Sequence, residues 1–146
     1  MQDTFTIRGT VHTVLTRADG SIEERTFPNL VVTTGKTFIA SRMSSASASV
    51  MGWIEVGTGG TSPVASDTTL VSPVVRLATT VSGGTPSGNS VTYTTTLNPG
   101  VGTGALQEAG IFNASSAGTM LARTTFAVIN KAAGDTLTIS WTVSLT

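Results

Sequence analysis

The sequence predicts an all-β protein, an antiparallel β-sandwich or barrel of about eight strands with one short helix. Three observations carry this. Residues 136–146 alternate hydroxyl and apolar side chains without an error, which puts Leu137, Ile139, Trp141, Val143 and Leu145 on one face. Successive side chains of a strand point to opposite faces, whereas a helix would spread those groups around its circumference. Charged residues are 11% of the chain, against about 25% in an average globular protein, and Thr, Ser and Gly are abundant instead. Short apolar runs also alternate with turn-forming clusters, and no βαβ rhythm is present.

The first strand covers residues 4–17, with Phe5, Ile7 and Val11 on one side. Asp19-Gly20 then signals a two-residue hairpin turn, because both positions tolerate positive φ. Such a turn pairs Thr16 with Glu23, Val14 with Arg25 and His12 with Phe27, and on the other face Leu15 with Glu24 and Arg17 with Ile22. Neither face of the distal hairpin is cleanly apolar, so residues 8–27 read as a hairpin arm outside the chain's own core. Nine of the sixteen charged residues fall within the first 42 positions. Those of the arm, Arg8, Arg17, Asp19, Glu23, Glu24 and Arg25, are candidate contacts to a partner subunit. An ordinary solvated hairpin is the alternative reading.

Leu30-Val31-Val32 ends the second strand, and Thr33-Thr34 offers an N-cap to a short helix over residues 34–43. Residues 44–49 form a low-complexity loop expected to be mobile. A strand at 53–56 precedes a long loop reaching Leu70, and further strands follow at 73–81, 90–97, 107–113, 119–128 and 136–146. The expected organisation is one domain, 1–146, with residues 51–146 as the sandwich body.

The chain has no cysteine, which removes disulfides and thiolate sites, and its one histidine is His12. With zero net charge, no global field draws it to nucleic acid or to an anionic membrane. No apolar run approaches the roughly 18 residues that span a bilayer. Residues 1–8 lack a signal-peptide pattern, so synthesis in a cytoplasm is expected. Gly35-Lys36-Thr37 matches the end of a phosphate-binding loop, but the required earlier glycine is replaced by Leu30. The Gly57–Gly60 and Gly100–Gly104 stretches fit no dinucleotide fingerprint and read as turns. Glu55, Asp67 and Glu108 are the acidic residues a glycosidase pair would draw on, with few aromatics to line a sugar cleft. The expectation is therefore a non-enzymatic protein with no catalytic, cofactor or metal site. Glu108 stands out within Leu106-Gln-Glu-Ala-Gly-Ile-Phe112, since a carboxylate among apolar neighbours needs a partner if buried. Arg76 and Arg123 are the candidate partners, and an exposed edge position is the other possibility.

Several segments resemble tailed-bacteriophage virion structural proteins. They are Trp53-Ile-Glu-Val-Gly-Thr-Gly-Gly with the following residues to Leu70, Glu108-Ala-Gly-Ile-Phe-Asn113, Gly118-Thr-Met-Leu-Ala-Arg123, and the final Ile-Ser-Trp-Thr-Val strand. The opening strand, Asp-Gly turn, second strand and Asn29-Leu-Val-Val-Thr-Thr-Gly35 fit the same group. The resemblance implies a virion component without catalytic residues that works as a homo-oligomer, often a trimer. Two roles follow from it. One is a capsid decoration (cement) protein bound to the major capsid protein; the other is a tail-associated or tail-fibre protein contacting tail proteins or a receptor. A carbohydrate-binding module is a third class, for which Trp53 and Tyr93 are the available aromatics.

Overall fold

A computed structural model describes residues 2–44 and 47–146. Its strands are β1 (Ile7–Thr16), β2 (Ile22–Pro28), β3 (Leu30–Val31), β4 (Trp53–Gly57), β5 (Pro73–Ala78), β6 (Thr85–Ser87), β7 (Ser90–Leu97), β8 (Gly104–Phe112), β9 (Met120–Lys131) and β10 (Thr136–Leu145). The single helix among the described residues is α1 (Thr33–Ser41). Of the predicted loop at 44–49, residues 45 and 46 lie outside the described residues.

The alternating segment 136–146 becomes β10, the centre of a five-stranded antiparallel sheet ordered β2-β1-β10-β7-β6, here sheet A. Leu137, Ile139, Trp141 and Val143 point inward and are buried. Sheet B, ordered β3-β9-β8-β4-β5, supplies the opposing layer. Val11 and Leu15 of β1, Leu97 of β7 and the inward face of β10 share one core with Ile54, Val56, Leu106, Ile111 and Leu121 from sheet B. The predicted all-β antiparallel sandwich with one short helix is the fold observed.

Three sequence expectations change. First, the hairpin does not project as an arm: β1 pairs with β10 along its whole length, from Ile7 with Leu145 to Thr16 with Thr136. Although neither face of the hairpin is cleanly apolar, Val11 and Leu15 alternate inward beside the buried Thr13. Second, the turn is one residue longer than predicted. Gly20 donates to the Arg17 carbonyl at 2.9 Å and Arg17 to the Ser21 carbonyl at 2.8 Å, closing a three-residue loop with Gly20 at φ +87°. The register therefore pairs Thr16 with Ile22, Leu15 with Glu23, Val14 with Glu24 and His12 with Thr26. Third, the second strand does not continue to Val32. The chain leaves sheet A at Pro28, and Leu30–Val31 pairs with β9 in sheet B. Short β6 lies between the expected strands 73–81 and 90–97, and its Ser87 pairs with Ser90 around a two-residue turn.

Helix α1 begins without the predicted Thr cap: Val32 occupies the cap position and makes no side-chain cap bond. Thr33 donates its amide to the Ala65 carbonyl at 2.8 Å and Thr34 its hydroxyl to the Met120 carbonyl at 3.1 Å. Gly35 rests directly on β9, where a Cβ would sit 2.0 Å from the Leu121 carbonyl oxygen. The Gly-Lys-Thr sequence is thus a helix-on-sheet contact, not a phosphate cradle.

Candidate interaction surface

Arg17, Glu23 and Arg25 of the hairpin line the seam where β2 of sheet A faces β9 of sheet B. Arg25 donates to the Ala127 carbonyl at 2.8 Å and to Glu23 Oε1 at 3.0 Å. Arg17 reaches Glu23 at 3.4 Å, and on its other side Asp135 at 3.2 Å. Phe27 stacks on Phe126 beside them, with ring centroids 4.7 Å apart. The guanidinium of Arg25 holds the Glu23 carboxyl below its ordinary value, with Arg17 adding to the effect. Asp19 accepts the hydroxyl and amide of Ser21 inside the turn, and these bonds lower its pKa too. Four of the six predicted partner contacts, Arg17, Asp19, Glu23 and Arg25, thus make bonds within the chain. The reason is topological: Arg17 and Arg25 satisfy β9 carbonyls or neighbouring acids that no strand covers. Arg8 and Glu24 stay on the outer face of sheet A, with Glu24 3.6 Å from His12.

The three acidic residues considered for catalysis all occupy structural positions. Regular alternation would turn Glu108 to the same side as the core residue Leu106. A bulge between Leu106 and Glu108 shifts the phase, so Ala109 and Ile111 enter the core and Glu108 turns to the outer face of sheet B. There it is 0% exposed, covered by residues 58–72. It accepts the amides of Gly59 at 3.1 Å, Val71 at 3.0 Å and Ser72 at 2.7 Å. Arg123, itself 1% exposed, donates to Glu108 Oε2 at 2.8 Å, to Asp67 at 2.9 Å and to the Thr61 carbonyl at 2.9 Å. Of the two candidate partners Glu108 therefore takes Arg123. Arg76 pairs instead with Glu55 at 3.2 Å, donates to the Ala114 and Ala117 carbonyls and lies over the Phe112 ring.

Burial alone would raise the Glu108 pKa, but the Val71 and Ser72 amides, Arg123 and the Gly59 amide outweigh it and hold the carboxyl below its ordinary range. The glycines of the Gly57–Gly60 stretch belong to the same device. A Cβ on Gly57 or Gly59 would come within 2.6 or 2.5 Å of Glu108 Oε1. A second small core of Val32, Leu70, Phe112 and Met120 forms beneath this loop, with Trp53 against it.

What the seam and the covering loop leave open is the outer face of sheet A. All five outward residues of β10 are Thr or Ser: Thr136, Thr138, Ser140, Thr142 and Ser144. So are the outward residues of β7 and β6 paired to them, Ser90, Thr92, Thr94, Thr96, Thr85 and Ser87. Neighbouring hydroxyls bridge the strands, Thr92 to Thr142 at 2.8 Å, Thr96 to Thr138 at 3.3 Å and Thr94 to Ser140 at 3.4 Å. No charge interrupts this part of the sheet; Arg8, His12 and Glu24 fringe it from β1 and β2. The sequence contains the signal for it, since the Thr-x-Thr alternation of 90–96 and 136–144 is visible. Only the pairing of β7 with β10 shows that the two hydroxyl rows lie side by side. Tyr93, proposed for a sugar site, faces the core instead and is 7% exposed, with burial raising its pKa.

No helix among the described residues is long and apolar enough to cross a membrane. Comparison with protein-family models, with curated proteins and with solved structures finds no match to this chain.

Proposed function

We propose that this protein is a non-enzymatic structural component of a tailed-bacteriophage virion, decorating the outer surface of the major capsid shell and stabilising it. The observation that carries the reading is the uncharged hydroxyl face of sheet A. Each Thr or Ser hydroxyl both donates and accepts, so the face can bond to varied backbone and side-chain groups. Threonine is stiff at χ1, so little side-chain freedom is lost on contact. Individually such contacts are weak, but copies repeated over a shell add through multivalency. The use of Glu55, Asp67 and Glu108 in internal bonds supports a structural over a catalytic role. The resemblance of residues 53–70, 108–113 and 118–123 to virion proteins supplies the biological setting, and it also covers tail proteins, so a tail-associated position is the second reading.

The test is binding of purified protein to intact and expanded capsids, with copies counted per particle. Saturation at hundreds of copies is expected; a few to a few dozen copies at one vertex would move the protein to the tail. Because the contact face is uncharged, binding should persist as salt is raised. Thr94→Glu with Thr138→Glu should abolish binding in a folded protein. Binding that survives this pair would reject the hydroxyl face as the contact, and no binding to any capsid form would reject the shell-decoration role.

A further inference from the structure

We propose that copies of this chain associate by exchanging residues 2–5, the Phe5 side chain of one copy seating in an apolar groove of the next. The groove has a volume of about 790 Å³ and lies between the segment 5–7, the outer side of α1 and Leu145, with Ile39, Ala40 and Met43 contributed by the helix end. Met43 is 89% and Phe5 67% exposed, the two most exposed large apolar side chains among the described residues. Both flank the same groove, so the costliest apolar exposure of the molecule is concentrated at one place. A soluble chain that leaves such a patch open commonly covers it by association.

Three features select a second copy as the occupant. The segment is lightly held: Thr6 exchanges two backbone bonds with Thr146, at 2.6 and 2.8 Å, while residues 2–5 make no backbone hydrogen bond within the described chain. It can therefore swing out about Thr6 without opening the sheet. The segment also carries the matching chemistry. Asp3 lies two residues before Phe5, close enough along the chain to reach the same partner surface. The groove offers Lys36 next to its apolar wall, exposed and without an ion pair among the described residues. Asp3 is likewise unpaired there, whereas Arg42 is already donating to the Ala48 carbonyl and lying over the Phe38 ring. An apolar knob preceded by an unpaired acid thus meets an apolar groove beside an unpaired base. Finally, Phe5 lines the edge of its own groove yet stays 67% exposed, so seating in a neighbour's groove covers apolar surface that a single copy leaves open.

The assembly is independent of where the protein sits in a particle, and its failure would leave the shell-binding proposal untouched. Sedimentation equilibrium of the full chain tests it. The wild type is expected to self-associate, and Phe5→Ser to raise the dissociation constant about tenfold to a hundredfold for each exchanged segment. Asp3→Lys and Lys36→Asp should each weaken association, and the double variant should restore it. Phe5 and Lys36 are both exposed, so these variants keep the fold, which a thermal melt of each verifies. A wild type that stays monomeric, association indifferent to Phe5→Ser, or a double reversal that fails to restore it would each overturn the proposal. Binding of a detergent or fatty acid that Phe5→Ser leaves intact, without self-association, would assign the groove to an acyl ligand instead.

Discussion

Glu108 and Arg123 meet at 2.8 Å on the outer face of sheet B, where the bulge before Glu108 has turned it out of the sandwich core. The pair organises residues 58–72 more than it joins β8 to β9. Glu108 accepts three amides from the ends of that loop, and Arg123 donates to Thr61 and Asp67 within it.

Glu108→Gln leaves Arg123 buried without its main counter-charge and turns an amide NH2 toward backbone donors. Breaking a buried pair at one end costs about 3–5 kcal/mol. The expected result is a loss of that order in urea unfolding, with hydrogen exchange of residues 58–72 accelerated first. A loss well under about 1 kcal/mol would mean the pair contributes no more than a surface one.

The same carboxylate sets an acid limit. Its folded pKa lies below the ordinary value of 4.5. A depressed carboxyl stabilises the fold fully above its unfolded pKa and ceases to do so as pH falls through the folded value. The loop should therefore open below pH 4.5, seen as selective exchange or proteolysis within 58–72. Glu108→Gln should lack this acid step, because it has no proton to take up.

Gly35→Ala probes the contact between helix and sheet. The added Cβ would meet the Leu121 carbonyl at 2.0 Å, and neither atom belongs to a flexible side chain. The helix must lift from β9, at a cost of about 1–3 kcal/mol, although alanine is the better helix former by about 1 kcal/mol. A net destabilisation in thermal unfolding is expected; an unchanged or raised midpoint would show that α1 does not bear on the sheet.

Strand positions were legible where one face alternates cleanly. The pattern of 136–146 led directly to β10, and 90–97 matched β7 residue for residue. Legibility failed where a backbone irregularity resets the phase. The Glu108 bulge cannot be read from Leu106-Gln-Glu-Ala, because ordinary alternation gives that carboxylate the wrong face. The turn at Asp19-Gly20 was visible, but the number of residues in it was not, and one residue changes every cross-strand pair. The charges of the hairpin looked like a partner site because their acceptors lie more than a hundred residues away, at Ala127 and Asp135. The hydroxyl face failed to register for a related reason, since it exists only once two distant strands are adjacent.

Deleting residues 12–26 separates the sequence expectation from the structure. An arm outside the core could be removed and leave a folded body. In the sandwich, the deletion takes out half of β1 and most of β2, including Leu15, which is 2% exposed. It also removes the partners of β10 from Ser140 to Thr136. Leu15 alone contributes about 1.5–3 kcal/mol by burial, and each lost ladder bond adds about 0.5–1.5 kcal/mol. Together these approach the whole of a typical stability of about 5–15 kcal/mol. The seam would open as well, because Arg17 and Arg25 go with the deletion and the Ala127 carbonyl loses its donor. The expected outcome is loss of a cooperative thermal transition. Arg25→Ala, which removes the Ala127 bond and the Glu23 pair but no core residue, should keep the transition and lower its midpoint; a deletion protein that still melts cooperatively would restore the hairpin to a separate arm.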